Sequence, residues 1–303
     1  PAEQFSIMNE KLCIFGEVLF DVFPDGNRVL GGAPFNVAWH LQAFGQSPYF
    51  ISRIGNDHDG IQIQKSLMDH GMNTYALQID EELPTGLVNI DIKDGEPHYD
   101  IVNPSAYDNI QPVSISEKCH LLYHGTLALR NQASEKSLQE LLKTRPENIF
   151  IDVNLRPPWW NREQVLQLLK HADWVKLNKD ELGQLFDSGK PEDEKLAAFI
   201  KEFNLKGAIL THGSKGAEIL TAEGQHHKIS PAASQDNEIN IVDTVGAGDA
   251  FSSIVILGLM NKWPLQQIIE RAQAFASAIV QQQGATVTDK SFYADFSQSW
   301  QLN

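Results

Sequence analysis

Thiols are scarce in this chain of 303 residues: Cys13 and Cys119 are the two cysteines. Both sit in short apolar runs with no Cys-x-x-Cys spacing, which argues against a disulfide framework or a cysteine zinc site and fits a reduced, cytoplasmic setting. Long hydrophobic runs are missing as well. No stretch approaches the roughly 20 apolar residues that span a bilayer, and no basic segment followed by an apolar one marks a secretory leader. Positive charge is outnumbered, with 24 Lys and Arg against 39 Asp and Glu and a formal net charge of −15. Such a surface repels an extended phosphate backbone or an anionic membrane, so nucleic acid and membrane are poor partners. A small anion is not excluded, because a few oriented backbone amides bind it locally whatever the net charge. Low-complexity tracts are absent too, and a composition of 42% hydrophobic and 21% charged residues describes a globular chain able to bury a core.

Strand-like segments at 12–15, 49–54, 120–123, 149–153, 174–177 and 208–211 alternate with helical ones at 34–44, 61–70, 164–170 and 192–203. That alternation predicts an α/β fold with a mainly parallel sheet flanked by helices. Pro34 fits a first helical position with Gly45 after the end, and Gly71 follows the next helix in the same way. Segments 18–22, 87–92 and 98–102 break the pattern and read as antiparallel strands with tight turns, Asp94-Gly95 supplying a positive φ. They predict a small β-sheet lid, inserted at about 18–30 and 84–106 into one domain spanning 9–303. A flap with one uncovered face either closes on a ligand or pairs with a second copy. Residues 1–8 have neither strand nor helix period and read as an N-terminal arm or a vector-derived remnant.

The most informative run is Asp243-Thr244-Val245-Gly246-Ala247-Gly248-Asp249-Ala250-Phe251, followed by an apolar stretch at 254–260. The glycines let successive N–H groups turn toward one point, and the helix that follows places its positive end there, making an anion cradle. Asp249 falls in the first helical turn, close to any bound terminal phosphate, where a carboxylate can accept a hydroxyl proton. The plainer alternative is a tight start to a buried helix with Asp249 as a capping acid, and spacing alone leaves both open. A dinucleotide fingerprint fits less well, since Phe251 occupies the place of its third glycine and the run lies far from the first strand. A Walker-type loop is excluded by the missing Lys-Ser/Thr.

This run resembles the C-terminal signature of the ribokinase, or phosphofructokinase-B, family of carbohydrate kinases. A second element agrees: Gly31-Gly32-Ala33-Pro34-Phe35-Asn36-Val37-Ala38 is similar to the family's N-terminal Gly-Gly-x-x-x-Asn-x-Ala motif. The resemblance runs in the family's order and covers the chain from about Lys11 onward. It implies a ribokinase-like three-layer fold and an ATP-dependent transfer of phosphate to a sugar hydroxyl.

Carried over residue by residue, the resemblance makes Asp249 the base and the amides of Gly246, Ala247 and Gly248 the anion hole. Sugar-side residues would be Asp21, Gly31, Gly32, Asn36, Asn154 and Arg156; carboxylate and amide suit paired hydroxyls, and Arg suits phosphate. Arg156 reads equally as a surface ion-pair partner. Asn178 and Glu181 match an Asn-x-x-Glu element that places Mg2+ and phosphates through water, though the same spacing is a plain helix cap. Thr211, Gly213 and Gly216 match the nucleotide loop, with a bare hairpin turn as the alternative. Ala276, Ser277 and 284–286 fall where the family builds its adenine pocket, and Asp243 where many members bind a monovalent cation such as K+; Ser277 replaces a frequent Asn. Trp159 and Trp160 read as core cover, and His226-His227 as a solvated face.

Gly16-Glu17-Val18-Leu19-Phe20-Asp21 with the first motif looks most like the fructokinase branch, but 103–108 lacks the Arg many fructokinase lids carry. A 2-keto-3-deoxygluconate kinase or ribokinase is the alternative within the class. A phosphosugar kinase would need a cationic cluster, and Arg28, Arg53, Lys93 and Arg156 are scattered in sequence. Outside the class stand a non-catalytic sugar- or nucleotide-binding protein and a nicotinamide dehydrogenase; the latter lacks the early glycine fingerprint. The expected partners are a small sugar and ATP, with Mg2+ and K+ as the cations the resemblance implies and a homodimer through the lid as the assembly it suggests.

Overall fold

The computed structural model describes residues 11–93, 96–115, 118–187, 189–230 and 243–302. The proposed arm at 1–8 and the Asp94-Gly95 turn lie outside these. The chain runs β1 (Lys11–Phe15), β2 (Leu19–Val22), β3 (Arg28–Gly31), α1 (Ala33–Ala43), β4 (Tyr49–Gly55), α2 (His58–Asp69), β5 (Leu77–Asp80), β6 (Gly86–Lys93) and β7 (Glu96–Ile101). It continues through β8 (Cys119–His124), α3 (Gln132–Lys143), β9 (Asn148–Asp152), α4 (Arg162–Leu169), β10 (Trp174–Asn178), α5 (Lys179–Leu185), α6 (Glu192–Phe203) and β11 (Gly207–Thr211). It ends with β12 (Ala217–Thr221), β13 (His226–Ile229), α7 (Ala247–Met260), α8 (Leu265–Ile279) and α9 (Lys290–Trp300).

A nine-stranded sheet has the order β13-β12-β11-β10-β9-β8-β1-β4-β5. Every neighbouring pair from β11 to β5 is parallel, and β12 and β13 add an antiparallel edge. Helices cover both faces, as the run of apolar residues in buried parallel strands requires. Side chains alternate between the two cores: Leu12 and Ile14 of β1 enter one, Cys13 and Phe15 the other. The same parity sends Tyr123, Phe150 and Trp174 to the first face, where α7 lies between α1 and α8. Being covered on both sides, α7 is apolar all round, and each Ile or Val it buries contributes about 1.5–3 kcal/mol. One helix end then projects into the cleft.

Local punctuation behaves as the sequence suggests. Pro34 sits in the first turn of α1, one place after the expected position, and the helix closes with Gly45 N–H to Gln42 O and Gln46 N–H to Leu41 O. Gly71 and Met72 close α2 by the same pair of bonds.

The lid is a four-stranded sheet of order β3-β2-β6-β7. Hairpins β2–β3 and β6–β7 are antiparallel, but β2 and β6 run parallel, so the two inserted segments meet in the orientation opposite to that expected. The crossover of main-sheet elements between β2 and β6 permits that pairing. β3 itself carries no clean alternation and escapes a sequence reading.

Candidate active site

Strand order reverses at β1: β4 and β5 lie to one side of it, β8 to β11 to the other. In open α/β sheets the carboxyl ends at such a switch form a cleft. The chain leaving β1 becomes the lid, returns through β3, and starts α1 at Gly32. That residue has φ +108°, and a Cβ there would stand 2.7 Å from Glu17 O, so backbone packing and conformation both demand glycine. At Gly31 a Cβ would stand 3.1 Å from Asp21 Oδ2. Asp21, on β2, is half-buried and its carboxyl is pushed up to about 6 by burial, with Arg156 opposing and Asp243 and Asp249 reinforcing.

Across the cleft, Gly246 starts α7 at φ +80°, and a Cβ there would stand 2.3 Å from Ala285 Cβ. No side chain caps this helix; the Ala247 N–H turns back to Thr244 O at 3.5 Å, and Ala247 and Gly248 line the cavity beside it. Asp249 accepts from Asn36 Nδ2 at 2.7 Å, a bond between α7 and α1 across 213 residues. The capping alternative is therefore not what the hydrogen bonds favour. Asn36 is buried, and its Oδ1 has no partner among the described residues. Burial holds the Asp249 carboxyl up at about 6; the Asn36 bond opposes that, Asp152 reinforces it, and Lys176 and Arg156 oppose it. Desolvation outweighs the helix dipole, which favours the charged form. The residue as a whole is partly exposed, and a carboxyl held near 6 is ionised at neutral pH and able to take up a proton.

Beside it opens a cavity of about 530 Å³ lined by Asn154, Asn178, Glu181, Thr211, Gly213, Gly216, Ala247, Gly248 and Ser277, among others. With Ala276, ten residues expected from sequence thus line it. Asn154 stands at φ +37° just past β9. Asn178 and Glu181 form a complete capping box on α5, so the plain helix-cap alternative is realised, and Glu181 also accepts from Leu155 N–H at 2.9 Å. Burial raises the Glu181 carboxyl, with the amides of Asn178 and Leu155 opposing. Ser277 accepts from Gln273 Nε2 at 3.1 Å. Asp243 accepts from Val245 N–H at 2.9 Å and Gly284 N–H at 3.3 Å, tying the loop before α7 to the loop after α8. Arg156 is exposed and lines no described cavity, yet its charge acts on Asp21, Glu17 and Asp249. His226 pairs with Glu218 at 2.6 Å alongside His212 and Lys228.

Sequence reasoning passed over three groups. Lys176, a lone charge inside an otherwise apolar strand, lines the cavity, and that loneliness was a readable signal. Glu17 is buried, held up at about 7 mainly by burial, and its Oε2 has no partner among the described residues. Arg130 grips Asp108 at 2.7 Å and stacks on Trp159, bringing a guanidinium to the base of the lid from outside the lid segment. Only the fold could reveal that.

The description "pfkB family carbohydrate kinase" matches residues 7–291. The chain belongs to that family. Within the pfkB family it is similar to the fructokinase of Escherichia coli, at 29% identity over 92% of this chain and 95% of the relative. It is also similar to the aminoimidazole riboside kinase of Salmonella typhimurium, at 26% identity over 91% and 90%. In fold it is similar to a double mutant of Vibrio cholerae O395 fructokinase solved with fructose, ADP and potassium ion: TM-score 0.80, 24% identity, 95% of this chain and 98% of that one. The architecture is accordingly ribokinase-like, and the protein is a sugar kinase, a phosphotransferase with an alcohol acceptor. No helix among the described residues is long and apolar enough to cross a membrane.

Proposed function

We propose that this pfkB-family protein is a fructokinase-like enzyme that moves the γ-phosphate of ATP to a hydroxymethyl group of a free sugar, with Asp249 as base. The observation that carries the reading is Asp249 itself: partly exposed in the uncapped first turn of α7, next to cavity-lining Ala247 and Gly248, bonded to Asn36 at 2.7 Å and held up near 6. As the sugar oxygen bonds to the γ-phosphorus, the bond from that phosphorus to the ADP oxygen breaks and the hydroxyl proton passes to Asp249. The amides of Gly246, Ala247 and Gly248 stabilise charge gathering on the phosphoryl oxygens. Asp21 and Asn36 position the sugar with Asn154 and Arg156 at its rim, while Gly31 and Gly32 leave it room. The nucleotide occupies the cavity of about 530 Å³ against Asn178, Thr211, Gly213, Gly216 and Ser277, a size suited to a ligand of that class.

Mg2+ fits beside Glu181 through water, because that carboxylate keeps lone pairs beyond the amides it accepts from; the ion would screen phosphate charge. A monovalent cation suits the oxygen-rich loop around Asp243. The boundaries of the kinase domain, 9–303, its lid and a pairing of two copies through that lid are part of the same reading.

The test is ADP production in a coupled assay with fructose, ribose, 2-keto-3-deoxygluconate and aminoimidazole riboside, comparing wild type with Asp249→Asn. Fructose is expected to be the best acceptor, and the substitution to lower kcat at least about 10²-fold. Equal turnover of the two proteins would remove Asp249 from the mechanism; silence with every acceptor would favour a binding protein.

A further inference from the structure

Beneath Asp249 lies a buried polar cluster joining three strands to one helix. β8, β9 and β10 are parallel neighbours, and their shared parity points Tyr123, Asp152 and Lys176 at α7. Asp152 and Lys176 are register partners, and Lys176 Nζ donates to Asp152 Oδ2 at 2.7 Å. The same oxygen receives Ser252 Oγ at 2.7 Å and Tyr123 OH at 3.4 Å. Ser252 stands one turn along α7 from Gly248, whose carbonyl oxygen is 3.0 Å from the same hydroxyl. A Cβ on Gly248 would lie 3.6 Å from Lys176 Nζ, so the ammonium rests against the turn that bears Asp249.

Both members of the ion pair are buried. As a source of stability such a pair is poor, because desolvation consumes most of its attraction and apolar side chains would pack the place at lower cost. What apolar residues would not supply is a fixed charge pattern under a reactive carboxylate.

We propose that Asp152, Lys176 and Ser252 are positioning residues for Asp249, clamping the first turn of α7 to the sheet and balancing the charge that its carboxylate feels. The proposal rests on the reading of Asp249 as base. The other charged or ionisable groups facing Asp249 are Arg156 after β9, Glu17 after β1, Asp21 on β2 and Tyr123 on β8; Asn36 of α1 adds a neutral donor. Against that background Asp152 disfavours ionisation of Asp249 and Lys176 favours it. Removing one alone must move the titration in a direction set by the sign of what remains, whereas simple structural damage has no reason to choose opposite signs.

Carboxyl 13C NMR of the ligand-free, aspartate-labelled protein reads this directly, with the Asp249 signal assigned by its absence in Asp249→Asn. Lys176→Met is expected to raise the midpoint and Asp152→Asn to lower it, each by about one pH unit. The double variant should return toward wild type and Lys176→Arg stay near it, so a poorly folding single variant does not end the test. Ser252→Ala should keep the midpoint while kcat falls about tenfold through misplacement. Shifts of the same sign, or no shift, overturn the electrostatic claim; an unchanged kcat in Ser252→Ala overturns the clamp. If wild type makes no ADP with any sugar, the kinase reading fails while the titration result still stands.

Discussion

The two sides of the cleft are built from different materials. Toward the lid stand ionisable side chains, Glu17, Asp21, Asp249 and Arg156, with three carboxyls pushed up to about 7, 6 and 6 chiefly by burial. Toward the 530 Å³ cavity, Asp152, Lys176 and Glu181 line one part of the wall, while Gly213, Gly216, Ala247, Gly248 and Ser277 expose backbone and carry little titratable chemistry. Substitutions at the lid-side carboxyls, or at the Asp152–Lys176 pair that acts on Asp249, should therefore change pH behaviour, and those at the glycines and small residues of the cavity wall affinity and folding.

Asp249→Asn tests that division most severely. Beyond its loss of at least about 10²-fold in kcat, it should abolish the acid limb of the kcat/KM profile, which in wild type rises with pH through about 6 as Asp249 loses its proton. ATP binding by calorimetry should stay within a few-fold, since the nucleotide wall is untouched.

Glu17→Gln comes next. Its carboxyl titrates at about 7 folded against 4.5 as the reference, so its stabilising contribution is complete below about 4.5 and lost as pH rises through 7. By linkage the charged form costs up to about 3 kcal/mol at pH 8. Urea unfolding should find Glu17→Gln more stable than wild type at pH 8 by up to that amount and little changed at pH 4; no difference between the two pH values would sink the assignment.

Gly246→Ala should cost about 1–2 kcal/mol in thermal unfolding, because a left-handed backbone and the Ala285 contact both resist a methyl group. Smallest is Ser277→Ala, expected to weaken ATP by less than about 1 kcal/mol in calorimetry, since it removes one hydroxyl from a mostly backbone wall.

Legibility in the sequence followed the same divide. Gly45 and Gly71 announced their helix ends because the bonds that close a helix join residues a turn apart. The glycine run around Asp249 was legible because a glycine-rich helix start is local too. Asn36 stands in a readable motif, yet its bond to Asp249 spans 213 residues and no period encodes it. Arg130 reaches the lid only after the chain has folded back, and the parallel pairing of β2 with β6 depends on everything between them. Asn178 and Glu181 read two ways; the structure realises the helix cap and puts both residues in the cavity wall.

One contact has a consequence for biosynthesis. His40, one turn after Asn36 on α1, is buried between the carbonyl of Ala285 at 3.1 Å and the hydroxyl of Tyr293 at 3.0 Å, the latter 253 residues later in the chain. Helix α1 can be made early during translation, but this anchor cannot close until Lys290–Trp300 has left the ribosomal tunnel. A nascent chain stalled before that point holds both kinase signatures and still lacks the bond that ties α1 to the last helix.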